Sequence, residues 1–184
     1  LGELTFRSDQ KVISLAAGIS LARLSEWVFP CTKVSRAIPM PPIEFGVGPV
    51  ALCPQDQSIE ALFGRIGTAV SVSDEGQFNL FGAASAVMAD YFDRVATVSS
   101  WMESHAMEPN TATRYTTSLF HALASLTLGQ TPEVLQSMSA ECITPGGLNE
   151  QFLTTCTDSG SHDTLKAGLD DILARLESNT GSTS

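Results

Sequence analysis

The chain changes character near Ser73, and this change constrains its fold more than any other feature. Before that point, short apolar runs alternate with helical patterns, whereas after it long helical patterns follow one another. The first arrangement is typical of an α/β sheet and the second of an all-helical unit. The sequence therefore predicts an α/β part over residues 1–74, an all-helical domain over residues 75–178 and a disordered tail over residues 179–184.

The α/β part is predicted to contain strands and two helices. Helical spacing covers residues 19–29, which Pro30 ends, and residues 58–67, which Gly67 is expected to close. The first strand is predicted from a short, β-rich apolar run that stops at Gly18, which is typical of the buried strands of parallel sheets. The strand patterns are residues 11–18, 33–40, 46–54 and 68–73.

The helical domain is predicted to begin with a long helix, centred on residues 78–102, that is apolar nearly all round. Such a helix needs packing partners on most of its sides. A small helical domain does not readily supply them, so this helix predicts burial between subunits, in a homodimer or a higher oligomer of dimers. The other helical patterns are residues 110–129, 132–141, 148–160 and 162–178.

Composition argues against several classes of partner and site. The formal net charge of −10 disfavours binding to nucleic acid or to an anionic membrane, because phosphate groups require a basic surface. No apolar run approaches the roughly 20 residues of a membrane span, and no signal peptide pattern is present. The cysteines are scattered, without metal-ligand spacing, which predicts reduced thiols in a cytoplasmic protein and no metal site.

No nucleophile–base pair can be assigned from spacing. His105, His121 and His162 stand alone, and an isolated histidine of this kind is more often a core or interface residue than a catalyst. Gly46 and Gly48 do not complete a G-x-G-x-x-G motif and precede a proline, so they predict a turn before a strand rather than a dinucleotide loop.

The most informative motif is TPGGLN, which precedes an apolar helical pattern. Thr144 is predicted to cap that helix and Pro145 to occupy its first turn. Gly146 and Gly147 each cost roughly 1 kcal/mol relative to Ala inside a helix, which suggests that a ligand approaches the backbone there. A helix N-terminus can bind a carboxylate or phosphate oxygen through its free N–H groups, and Asn149 would face the same pocket. The alternative interpretation is a plain helix start.

At this loop the chain resembles the pyrroline-5-carboxylate reductase family. The last conserved loop of that family reads Ser-Pro-Gly-Gly-x-Thr, which corresponds to residues 144–149 here. Three more stretches are similar to family segments in the same order. They are ISLAAGIS at residues 13–20, RAIPMPPIEFGVGPVALCP at residues 36–54 and LFGRIGTAVSVSDE at residues 62–75.

The resemblance implies the C-terminal portion of a Rossmann-like dinucleotide-binding domain, followed by a helical dimerisation domain. The chain would then be a fragment without the family's phosphate-binding glycine loop, and is expected to be inactive by itself. The implied reaction is reduction of pyrroline-5-carboxylate to proline, or of a related cyclic imine, with NADP or NAD as the cofactor.

The resemblance also implies site residues. Those expected to border the cofactor are Ala16, Ala17, Gly18, Pro39 and Met40.

On the substrate side, the resemblance assigns Thr144, Gly146, Gly147 and Asn149 to binding of the imino acid. The substrate carboxylate would lie on the N–H groups around the two glycines. Asn149 replaces the family's Thr, whose hydroxyl contacts the ring nitrogen, and is therefore the candidate catalytic residue.

The chain departs from the family pattern near this pocket. Met40-Pro41 stands where the family has Asn-Thr, and residues 82–86 read GAASA where the family has Gly-Ser-Gly-Pro-Ala. These departures leave the imine substrate open. They also leave open a catalytically inactive relative that serves as a dimeric interaction or regulatory protein. A different Rossmann oxidoreductase, such as a hydroxy-acid dehydrogenase, would need a catalytic lysine, and Lys166 falls on a charged helix face.

Overall fold

The structure is a computed structural model that describes residues 4–181. The chain divides into two compact units. Unit 1 contains the residues through Ala83 and those from Leu173 onward, and unit 2 contains Ala84–Ile172. Strands occur in the first part of the chain and helices dominate the rest, so the predicted α/β part followed by an all-α part is confirmed.

The sheet of unit 1 contains four strands among the described residues. β1 (Lys11–Ser14), β2 (Lys33–Pro39), β3 (Pro49–Cys53) and β4 (Thr68–Ser71) lie side by side in chain order. β1 is parallel to β2 and β3 is parallel to β4, but β2 and β3 are antiparallel. The expectation that the first strand is buried is wrong. β1 is half-buried because β2 is its one neighbour in the described sheet.

Helices cover both faces of this sheet. α1 (Leu21–Trp27) packs on one face, where its buried Leu24 and Val28 contact Val34 of β2. α2 (Gln57–Phe63) packs on the other, where its two buried residues join Ala37, Val50 and Leu52. Side chains alternate between the faces of a strand, so Arg36 of β2 lies on the face that α1 covers.

α2 ends earlier than the sequence indicates. Its last residue is Phe63 and its C-cap is Gly64, so the prediction that Gly67 closes the helix is wrong. Gly67 instead lies where the chain enters β4. A Cβ there would be 2.5 Å from Ile43 Cδ1 and 2.7 Å from the Gly48 carbonyl oxygen. These atoms leave no room for a side chain, so the position requires glycine.

The start of α2 is held by one carboxylate. The Asp56 side chain accepts hydrogen bonds from the N–H groups of Ser58 and Ile59 and pairs with Lys11 of β1. The hydrogen bond from Lys11 holds the pKa of Asp56 well below its usual range.

The predicted long helix after residue 75 is two helices, α3 (Gln77–Ser85) and α4 (Val87–Ser104). Ala86 between them adopts a helical conformation but makes no side-chain cap. The remaining helices match the predicted patterns closely. They are α5 (Pro109–Thr127), α6 (Pro132–Glu141), α7 (Leu148–Asp158) and α8 (Ser161–Gly181). Of the predicted tail, residues 179–181 belong to α8 and residues 182–184 lie outside the described residues.

α4 and α5 form an antiparallel pair. Ser99 Oγ lies 3.1 Å from Thr113 Oγ1, and the rings of Tyr91 and Phe120 meet edge to face at 5.8 Å. Ser99 is the one buried residue of α4 in the single chain, so burial of this helix between subunits stays a prediction. Among the described residues, no helix combines the length and hydropathy needed to cross a membrane.

Candidate active site

The predicted cofactor residues lie at one edge of the sheet in unit 1. Ala16, Ala17 and Gly18 follow the carboxyl end of β1, while Pro39 and Met40 stand at the carboxyl end of β2. Because β1 and β2 are parallel neighbours, these ends meet at the same edge. Ligands of open α/β sheets bind outside the carboxyl ends of parallel strands.

The backbone at this edge is accessible. Ala16, Ala17 and Gly18 are exposed, and Gly18 adopts a φ of +83° with no atom within 4 Å of a Cβ placed on it. An open, positive-φ glycine allows a ligand to approach the main chain. These residues therefore fit a dinucleotide lying against the edge.

A partly buried ion pair lies on the α1 face of the same sheet. Arg36 Nη1 donates to Glu75 Oε1 at 2.7 Å, and the guanidinium carbon lies 4.8 Å from the centroid of the Phe78 ring. Cys53 is the register partner of Arg36 in β3. Burial raises the pKa of the Cys53 thiol, and the Glu75 carboxylate raises it further.

The TPGGLN loop of unit 2 forms a turn before α7. The Gly147 N–H donates to the Thr144 carbonyl at 2.7 Å, and Gly146 has a φ of +73°, which is outside the helical region. Gly147 is therefore the N-cap residue and Leu148 the first helical residue. The predictions that Thr144 caps the helix and that Pro145 lies in its first turn are wrong, because the turn displaces the helix start by several residues.

Two groups of this loop that the sequence assigned to substrate binding, the Gly146 N–H and the Asn149 amide, already have hydrogen-bond partners within the chain. The Glu150 carboxylate accepts the Gly146 N–H at 2.7 Å, and Asn149 Nδ2 donates to the Cys142 carbonyl at 2.9 Å. The Asn149 contact joins the start of α7 to the end of α6. The orientation of this amide follows from chemistry, since a carbonyl oxygen can only accept a hydrogen bond.

The N-terminus of α7 has no side-chain cap, because its N-cap is Gly147. The first N–H groups of a helix have no intrahelical acceptor, so those of Leu148 and Asn149 are open to an anion. Leu148 is 84% exposed. The free N–H groups at this helix start are therefore those of Leu148 and Asn149, which follow the two glycines that the sequence indicated.

Three residues that sequence reasoning did not select contribute to these sites: Arg36, Glu75 and Glu150. An arginine inside an apolar strand was a usable signal, because a buried guanidinium requires an acidic partner. Glu150 stands three residues after Gly147, which is the spacing of a capping box. No local signal connected Glu75 to Arg36.

Other candidate residues lie apart from both groups. Lys166 is exposed, 3.9 Å from Asp163, which confirms its position on a charged face. A shallow cavity of about 410 Å³ in unit 2 is lined by α4 and α8 and includes the Asp90–Arg94 ion pair, but no predicted site residue. Within residues 4–181, no three His, Cys, Asp or Glu side chains cluster as metal ligands would.

Comparison with known proteins supports the resemblance in sequence. The chain is 35% identical over 92 residues to a pyrroline-5-carboxylate reductase from Haemophilus influenzae, a match that covers 46% of this chain and 34% of that protein. The chain therefore aligns with about a third of the length of this curated relative. No protein-family profile matches the chain.

Solved structures show the same fold. A pyrroline-5-carboxylate reductase from Coxiella burnetii superposes with a TM-score of 0.80 at 22% identity, covering 94% of this chain and 67% of that one. The enzyme from Streptococcus pyogenes gives 0.74 at 23% identity, covering 97% and 70%. The Plasmodium falciparum enzyme, whose structure contains NADP, gives 0.74 at 14% identity, covering 94% and 72%. The resemblance to pyrroline-5-carboxylate reductases is confirmed, and at these identities the structures support the fold alone.

Proposed function

We propose that the protein, which resembles pyrroline-5-carboxylate reductases in sequence and in fold, is an NAD(P)H-dependent reductase of pyrroline-5-carboxylate or a related cyclic imine. The observation that carries this proposal is the 35% identity to the Haemophilus influenzae enzyme. The accessible sheet edge in unit 1 and the uncapped helix in unit 2 agree with it, because the reaction needs a dinucleotide site and a carboxylate site.

On the cofactor side, the exposed backbone of Ala16, Ala17 and Gly18, with Pro39 and Met40, would border the dinucleotide. A reduced nicotinamide supplies the hydride for such a reaction. The chain's own residues hold and orient this group. Bound NADP in the Plasmodium falciparum structure supports a nicotinamide cofactor. Comparing the rates of NADPH and NADH oxidation would show which of the two this protein uses.

On the substrate side, the carboxylate of the imino acid would accept hydrogen bonds from the N–H groups of Leu148 and Asn149 at the start of α7. This site is electrostatically favourable because the positive end of the helix dipole lies there. Gly147 keeps the approach free of a side chain, and the turn from Thr144 to Gly147 holds the helix start in place.

Asn149 would orient the imine nitrogen. Its Nδ2 donates to the Cys142 carbonyl, so Oδ1 is the atom of the amide that would accept a hydrogen bond from a ligand. An oxygen accepts the N–H of a protonated imine, which is the form that receives a hydride most readily. The proposed role is therefore acceptance of a hydrogen bond, in contrast to the hydroxyl contact that the resemblance implies.

The direct test is oxidation of NADPH or NADH by the full-length protein in the presence of pyrroline-5-carboxylate. The matched control is 1-pyrroline, which has the same ring without the carboxylate. We expect turnover with the first and a much higher KM with the second, because one charge-assisted contact contributes about 1.5–3 kcal/mol. No turnover with any five- or six-membered imino acid would rule out the proposal.

We expect Glu150→Gln to lower the KM for pyrroline-5-carboxylate about fivefold and to leave kcat unchanged. The Glu150 carboxylate lies at the proposed anion site, where repulsion between two exposed unit charges 4 Å apart is about 1 kcal/mol. Gln keeps an oxygen that can accept the Gly146 N–H.

Steady-state kinetics of Glu133→Gln supply the matched control for this variant. Glu133 also lies in the first turn of a helix, α6, so its substitution removes the same charge from an equivalent position. An equal KM change in both variants would contradict a local effect at α7.

We further propose that unit 2 forms the interface of a homodimer. Large apolar side chains of this unit are exposed in the single chain: Phe92, Trp101, Leu128 and Phe152 are 60–76% exposed. We infer that a second subunit covers part of this exposed apolar surface. Sedimentation should give twice the 19.5 kDa mass of one chain.

The interface has its own variant and control. Phe92→Glu in α4 should shift the protein toward monomer, while Phe45→Glu, which changes a 77% exposed residue of unit 1, should not. A monomer for the unsubstituted protein at micromolar concentration would contradict the proposal.

A second candidate function is a non-catalytic dimeric partner protein. The observation that favours it is the Glu150–Gly146 contact, since it holds one of the chain's own carboxylates beside the proposed anion site. This candidate predicts that the full-length protein dimerises but binds neither dinucleotide nor imino acid. Calorimetric titration with NADPH separates the two candidates.

A further inference from the structure

One carboxylate oxygen in the turn before α3 joins three elements of unit 1. Glu75 Oε1 accepts a hydrogen bond from Arg36 Nη1 of β2 and another from the N–H of Leu21, the first residue of α1, both at 2.7 Å. Glu75 precedes α3 by one residue, Gly76. Strand β2, helix α1 and the start of α3 are therefore held through a single atom.

Arg36 fixes the direction of this carboxylate. Its side chain is 9% exposed, and Phe78, at the start of α3, lies beneath its guanidinium. Arg36 Nε is buried with no hydrogen-bond partner among the described residues. Since a buried guanidinium is costly unless it is paired, the contact with Glu75 largely determines where both side chains lie.

The N–H of Leu21 is one of the donors that a helix start leaves without an intrahelical partner. The local cap, Ser20 Oγ, accepts the Arg23 N–H and does not serve Leu21. Glu75, which is 54 residues later in the chain, supplies the missing acceptor. The N-terminus of α1 is thus defined by a tertiary contact as well as by its cap.

The segment that this contact anchors is Leu15–Ser20, which joins β1 to α1 and contains three of the proposed cofactor residues. Residues 15–18 are exposed, and the Ala16 N–H donates to Ser14 Oγ of β1. Ile19 packs against the cluster of Leu24, Val28 and Cys31 on the α1 side of the sheet. The position of the segment therefore depends on β1 at one end and on α1 at the other.

We propose that Glu75, oriented by Arg36, is a positioning residue that holds segment Leu15–Ser20 in the conformation that binds the dinucleotide. This inference rests on the proposed function. Without the Glu75 contact, the first turn of α1 opens more often, and a ligand must order the segment when it binds. Loss of the Glu75 contact therefore lowers the affinity for the cofactor, while the imino acid site in unit 2 keeps its own hydrogen-bond donors.

The test compares Glu75→Gln with Asp74→Asn in the full-length protein. Gln keeps the size of the side chain but removes the charge that both donors share. Asp74 is the matched control, because it loses the same charge one residue earlier and its carboxylate accepts the Gly76 N–H. For Glu75→Gln we expect roughly tenfold faster hydrogen exchange at the Leu21 amide and a KM for NADPH raised about three- to tenfold. The kcat, and the KM for pyrroline-5-carboxylate, should change less than about twofold.

A second variant, Arg36→Lys, keeps the positive charge but loses the planar contact with Phe78. It should raise the KM for NADPH in the same way. The double variant should be no worse than the more affected single variant, because both residues act through one contact. Additive effects would show that Arg36 acts independently of Glu75 and would overturn the arrangement proposed here.

The remaining outcomes separate this inference from the proposed function. If the unsubstituted protein binds NADPH but its KM is unaffected by Glu75→Gln despite faster exchange at Leu21, only this inference is overturned. Faster exchange throughout unit 1 with a fall in Tm, and both KM values raised together, would indicate a purely structural role and also overturn it. Failure of the unsubstituted protein to bind NADPH or NADH overturns both.

Discussion

Gly147→Val is expected to raise the KM for pyrroline-5-carboxylate at least tenfold, which corresponds to about 1.4 kcal/mol of substrate binding. A Cβ on Gly147 would lie 2.8 Å from the Thr144 carbonyl oxygen, which is a backbone atom and cannot rotate away. The turn must therefore open, and its 2.7 Å hydrogen bond from Gly147 to Thr144 lengthens. Because Gly147 is the N-cap of α7, the N–H groups of Leu148 and Asn149 move with it.

The effect on KM has to be distinguished from a general loss of stability. Gly160→Ala is the control: Gly160 has a φ of +72° and open space around it, so alanine there introduces strain of about 1–2 kcal/mol elsewhere in unit 2. Steady-state kinetics should show the KM change in Gly147→Val alone. An unchanged KM in that variant would contradict the carboxylate site at α7.

Gly67→Ala is expected to destabilise the protein by about 1–3 kcal/mol, the usual cost of adding a methyl group where no space exists. Ile43 can move its side chain away from the new Cβ, but the Gly48 carbonyl oxygen at 2.7 Å cannot. That oxygen also accepts the Thr68 N–H at 2.8 Å where β3 and β4 begin to pair. The substitution therefore disturbs this edge of the sheet.

Urea unfolding followed by circular dichroism measures this loss. Gly168→Ala is the matched control, since Gly168 lies in α8 and has nothing within 4 Å of a placed Cβ. Alanine in a helix is favoured over glycine by about 1 kcal/mol, so this control should be neutral or stabilising. Equal stability of Gly67→Ala and the unsubstituted protein would show that the loop around Gly48 adjusts freely.

The local elements were predictable because their signals lie within one turn or one strand. Pro132–Glu141 forms α6 as predicted, since Thr131 caps it and Pro132 suits a first helical turn. β2 and β3 also lie within the apolar runs that indicated them. The family resemblance was likewise visible in short motifs kept in a consistent order, and the comparisons confirm it.

The chemistry of the candidate site was less predictable. TPGGLN indicated an anion site at a helix start, and the structure has an uncapped helix there. The motif did not show that the turn from Thr144 would shift the helix start to Leu148. Nor did it show that Glu150 would accept the Gly146 N–H and that Asn149 would bond to Cys142. Each of these depends on where the loop folds back in space.

The sequence by itself determined the order and type of the elements and the location of the informative loop, because hydrophobic period, caps and breakers act over a few neighbouring residues. Only the tertiary structure decided that β2 and β3 run antiparallel, that Gly67 must lack a side chain and that Glu75 joins Arg36 to the start of α1. Arg36 and Glu75 are 39 residues apart in the chain. Contacts over such separations are set by the packing of whole elements, on which the local pattern around either residue carries no information.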